Sequence, residues 1–106
     1  MKLRIENGAL YADHVFLCYA GAGNGRPNLP AGHYPVATQF SHVHNKALAD
    51  AVGLGWIGAT HQCDVVLGGV RGRSGPVPSP TALRRLLALI ESAEDHGQAV
   101  TLEVVR

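Results

Sequence analysis

The chain has 106 residues, of which 46% are hydrophobic and 16% charged, with a formal net charge of +1. That length bounds one domain, 1–106, with a real but modest core. The near-neutral balance excludes nucleic acid as the expected main partner, because such binders carry a clear basic face.

Residues 2–6 alternate charged and apolar side chains, with Leu3 and Ile5 on one face, and so form a strand. Asn7-Gly8 follows as a two-residue hairpin turn, since both residues tolerate positive φ. The second strand is expected from Ala9 toward Tyr19, with a bulge near Asp13-His14. Residues 21–32, GAGNGRPNLPAG, form a loop. Their glycines do not make a dinucleotide fingerprint, because Pro27 and Pro30 forbid the helix that must follow. Residues 33–40 form a strand with Tyr34, Val36 and Thr38 on one face. Pro35 places it at an edge or makes this its first part.

Ala47, Leu48, Ala51 and Val52 fit one face of a short helix ending at Gly53. Trp56-Ile57 is a very short strand. Residues 63–70 form a better one, whose Gly68-Gly69 end is weak or lets another backbone approach. RGRSGPVPSP, 71–80, is a loop leading into a helix with Ser79 as N-cap and Pro80 at its first position. An apolar stripe at 82, 83, 86, 87, 90 and 93 follows, and Gly97 closes the helix. Residues 100–104 make the last strand. The expected order is β-β-β-(α)-β-α-β. The expected fold is α+β and mainly β: an antiparallel sheet or sandwich-like domain with one long C-terminal helix packed on it.

No stretch approaches membrane-spanning length, and the start, MKLRIENG, lacks the apolar run of a signal peptide. The chain is therefore expected to be cytoplasmic as synthesised, with export by another route left open. Its two cysteines make no disulfide framework, and free thiols are expected. Arg71, Arg73, Arg84 and Arg85 form a basic patch, with no acid between Asp64 and Glu91. It is either a solvated surface or a site for an anionic ligand.

Cys63 is the candidate nucleophile. A thiol attacks as thiolate, which needs a neighbouring cation, histidine or helix N-terminus. In a strand, residues two apart share a face, so His61 would flank Cys63 if the strand already begins there. A metal site is the other reading of the same residues. His42-x-His44 and His61-x-Cys63 could offer four nitrogen and sulfur ligands to zinc. The third reading is a small buried hydrophobe beside surface histidines.

Three segments together resemble the L,D-transpeptidases: LPAGHYPV at 29–36, THQC at 60–63, and the terminal helix followed by GQAVTLEV at 97–104. The likeness extends to small phage and bacterial domains of this layout. It implies a β-rich fold and a cysteine enzyme that forms a thioester with peptidoglycan stem peptides, with no cofactor. Residue by residue, Cys63 matches the nucleophile and His61 the histidine before it. The family's upstream His-Gly has no match at its distance, so His44 is the substitute base. Gln62 replaces a glycine, and no arginine follows Cys63 closely. Two functions result: a cysteine-dependent acyl transferase or hydrolase with Cys63, His61 and His44, or a non-catalytic domain that binds a protein or peptide. The second would use loops 20–32 and 71–80 beside Trp56. Neither needs a membrane.

Overall fold

The computed structural model describes residues 1–105, with nine strands and one helix among them. In chain order they are β1 (Lys2–Glu6), β2 (Ala9–Ala12), β3 (Val15–Ala22), β4 (Gly32–Ser41), β5 (Lys46–Ala51), β6 (Gly55–Gly58), β7 (Val65–Gly72), β8 (Gly75–Pro78), α1 (Pro80–Asp95) and β9 (Thr101–Val104). The strands hydrogen-bond in the order β3-β2-β1-β9-β4-β5-β6-β7, and β7 pairs back onto β3 from Tyr19↔Gly68 to Ala22↔Val65. The result is a closed eight-stranded barrel, with β8 hanging from β7. The expected sheet or sandwich with a helix on one face is therefore incorrect. Alternation along each strand fixes which side chains turn inward, but closure comes from one long-range pairing that alternation does not encode.

The first turn forms as its residues dictate: Asn7 and Gly8 take φ of 53° and 74°. The expected long second strand is instead a hairpin. Asp13 and His14 both adopt left-handed φ, 47° and 72°, and reverse the chain between β2 and β3. The Asp13 carboxylate accepts from the Lys2 backbone N–H at 2.9 Å, which holds that turn against β1. A register shift does occur in this pair, between Leu10 and Tyr11 rather than at the turn.

The expected helix over 47–52 is also incorrect, because Lys46–Ala51 forms β5, paired with β4 and β6, and Val52 begins the turn after it. Gly53 and Gly55, with φ of 91° and 119°, turn the chain into β6 rather than ending a helix. Short apolar runs of this kind fit either period, and here the neighbouring strands decide. β4 is interior, between β5 and β9. Pro35 is tolerated because its carbonyl accepts from Val52 just beyond the last β4–β5 pair, so its missing donor falls at a ladder end.

The helix caps the ring. It touches β7 and β3 on one side and β4 and β5 on the other. Leu83, Leu86 and Ile90 join Leu3, Leu48, Leu67 and Leu102 in one core. Ser79 Oγ accepts from Ala82 N–H at 3.2 Å as N-cap, and Gly97 takes φ 70° just past the C-cap His96. β7 is buried on both faces over its first four residues. Val65 and Leu67 enter the core, while Gly68 lies under β8: a Cβ there would stand 2.6 Å from the Pro76 ring and 2.7 Å from the Val77 carbonyl oxygen. The expected close backbone approach at Gly68 is thus present. The segment 71–80 is a hairpin carrying β8 rather than an open loop. Among the described residues, no helix is long and apolar enough to cross a membrane.

Candidate functional site

β6 ends at Gly58 and β7 begins at Val65, so Thr60 to Asp64 lie in the turn between them, where Cys63 N–H donates to the Thr60 carbonyl at 3.1 Å. The strand therefore starts later than residue 63, and the rule that residues two apart share a face does not apply to His61 and Cys63. His61 is exposed, whereas Cys63 is 1% exposed and belongs to the core. The Cys63 Sγ lies 3.6 Å from Thr60 Oγ1, its hydrogen-bond partner among the described residues. Sγ also lies across β6, where a Cβ on Gly58 would stand 2.6 Å away. Glycine at 58 lets the thiol pack there.

A strap from the glycine-rich loop closes over this turn. Gly23 N–H donates to the Asp64 carbonyl at 3.4 Å and Asn24 N–H to the His61 carbonyl at 2.9 Å. Arg26 donates to the Gln62 carbonyl at 3.2 Å and pairs with the Asp64 carboxylate at 3.5 Å. A Cβ on Gly23 would collide with the carbonyl oxygens of Cys63 and His61, so only glycine permits this contact. The Asp64 carboxylate also accepts from the Trp56 backbone N–H at 2.9 Å. It serves the strap and β6. These partners escape sequence inspection because Arg26 and Asp64 lie in different loops and carry no motif.

The other candidate residues lie apart from the thiol. His44, in the turn between β4 and β5, shares a 3.0 Å hydrogen bond between its Nδ1 and Ser41 Oγ. Its backbone N–H donates to the same oxygen, and its ring meets the Trp56 ring edge-on at 6.5 Å. His42 is exposed, with its ring against Phe40. Among the described residues, no three His, Cys, Asp or Glu side chains stand together as a metal site. The four residues of the zinc pattern are thus not assembled. Both cysteines are free and buried. Burial pushes the Cys18 thiol up to about 11, partly offset by the positive charge of Arg85.

The outer wall carries an arrangement with no linear signature. His33, Glu103, Arg4, Tyr11 and Phe16 fall in one cross-strand row over β4, β9, β1, β2 and β3. His33 Nε2 lies 3.7 Å from Glu103, and the Arg4 guanidinium sits 5.4 Å from the Tyr11 ring centre. Phe16 meets Tyr11 and Tyr19 edge-on at 6.0 and 5.3 Å. Arg71 then lies over Tyr19 at 5.1 Å and donates to the Asn7 carbonyl at 2.6 Å. Sequence separation hides this row, because only the strand register aligns its members. Comparison with known protein families, curated proteins and solved structures finds no match for this chain.

Proposed function

We propose that the chain is a non-catalytic domain that binds a protein or peptide, on a barrel related to the L,D-transpeptidases in which the thiol site has closed. The observation that carries this reading is the setting of Cys63: 1% exposed, hydrogen-bonded to Thr60 and packed over Gly58. An acyl-transfer nucleophile must meet a carbonyl and exchange a proton with a base. Here His61 is exposed in the turn and His44 is engaged by Ser41. The segments LPAGHYPV and THQC support the relationship: the first leads into β4, the second lies in the turn before β7.

Recognition suits what remains accessible. The two Gly/Pro-rich segments meet where Pro76 packs over Gly21, and the barrel holds both in place. Phe16, Phe40, Val43 and Val70 are exposed on the wall and turns.

Thiol labelling of the native chain near neutral pH tests this. Cys63 is expected to react with iodoacetamide no faster than Cys18, with both limited by opening of the fold. Selective labelling of Cys63, abolished by His61→Ala or His44→Ala, would instead reveal a histidine-activated thiol and overturn the closed-site reading.

A further inference from the structure

A cavity of about 350 Å³ opens between the ends of β1, β3 and β9 and the loop that follows β3. That volume falls within the range of about 300–1,000 Å³ common for ligand sites. Among the described residues its lining carries no charged side chain. Ile5 and Val104, both buried in the core, close its floor; half-buried Leu29 lies on its wall, and the exposed Asn7 and Asn28 bear carboxamides beside it. A carboxamide both donates and accepts, which matches a peptide unit and suits neither a bare ion nor a pure hydrocarbon.

Arg71 stands at the rim. Its guanidinium donates to the carbonyl of Asn7 and lies 3.1 Å from where a Cβ on Gly8 would be, and both residues line the cavity. It also lies over the Tyr19 ring, 5.1 Å from the ring centre. No ion pair holds it among the described residues. Guanidinium has five N–H donors, and one bond to Asn7 leaves others for a ligand. The group is thus oriented beforehand, positively charged and, among the described residues, without an ion pair. A carboxylate forms paired hydrogen bonds with such a group.

We propose that this cavity takes the C-terminal end of a peptide, with the terminal carboxylate on Arg71, the last peptide unit on Asn7 and Asn28, and the last side chain against Leu29. The assignment rests on the reading of the chain as a peptide-binding domain and names its site and ligand class. It also gives the basic patch a specific role at Arg71.

Amide ¹H–¹⁵N spectra of the full chain test it. The probes are a random tripeptide pool with free C-termini, the same pool C-terminally amidated, and inorganic phosphate. The free-acid pool is expected to shift the amides of Gly8, Gly21, Ala22 and Val105. Amidation, or Arg71→Gln, should weaken that binding about tenfold. Ala22→Leu should remove it by filling the cavity, which keeps the test informative if the Arg71 variant is poorly folded. Equal binding of acid and amide pools would point to a side-chain carboxylate and overturn the proposal. So would phosphate that competes as well as the acid pool, which marks a general oxyanion site. Shifts confined to another face would overturn this site while leaving a peptide-binding domain in place. No shifts from either peptide pool would overturn this site, whereas the closed-thiol reading is tested separately by the labelling.

Discussion

Two neighbouring regions of the barrel wall invite comparison. The turn from Thr60 to Asp64 holds the residues that look chemical, a cysteine and a histidine two apart, and it is sealed by the Gly23–Arg26 strap. The region around Asn7, Gly8 and Tyr19 holds no such residues, yet it presents an open cavity beside an oriented arginine. The difference lies in how each charge is matched. At the first, the Asp64 carboxylate pairs with Arg26 and the thiol with Thr60; at the second, Arg71 has a carbonyl and a ring as partners but no ion pair among the described residues, beside the exposed Asn7 and Asn28.

The largest effect should come from breaking the seal. Gly23→Ala places a methyl group against two backbone carbonyls that cannot swing away, so a loss of about 3 kcal/mol is expected in denaturant unfolding. Cys63 should label faster in this variant; an unchanged midpoint would show that the strap is not tightly held. Asp64→Ala comes next. It leaves the Trp56 N–H without its acceptor and should cost about 2 kcal/mol. Asp64→Asn keeps an acceptor and loses only the half-exposed pair with Arg26, so it should cost about 1 kcal/mol or less. Equal losses in the two variants would mean the charge, not the acceptor, matters.

The second cysteine gives a pH test of the sealed interior. The Cys18 thiol is held neutral in the fold, with its pKa raised to about 11, so the unfolded chain releases that proton first as pH rises. Its contribution is therefore intact below the ordinary thiol range and is lost between about pH 9 and 11, an effect of about 2 kcal/mol. Cys18→Val should lose less stability than the parent over that interval; identical alkaline profiles would contradict the burial. The smallest effect belongs to the open region. Arg71→Gln should change stability by only about 0.5 kcal/mol, the size of an exposed cation–ring contact. A much larger loss would recast Arg71 as a structural residue rather than a binding one.

Local features were legible in the sequence wherever one residue type decides them. Asn7-Gly8, Ser79 with Pro80, and Gly97 each fix a backbone conformation within a few residues, and each stands where its chemistry requires. The approach of β8 over Gly68 was legible for the same reason. Residues 47–52 were not, because two periods fit one short apolar run and only β4 and β6 settle the choice. Asp13-His14 reads as a bulge in the sequence because neither is glycine, yet both take left-handed φ and turn the chain from β2 into β3. At the candidate site, the residues themselves were visible but their exposure was not. Whether Cys63 is open or sealed depends on a strap some forty positions earlier in the chain.

The placement of β9 carries a consequence for how the chain is made. It lies between β1, which it joins in parallel, and β4, which it joins antiparallel. During synthesis both of those strands emerge long before their shared partner. Until β9 leaves the ribosome, each offers an unpaired edge of main-chain donors and acceptors to any neighbouring chain. Such non-local pairing folds slowly. A nascent chain stalled after α1 should therefore be the species most prone to associate with its own kind, and most in need of a holding chaperone.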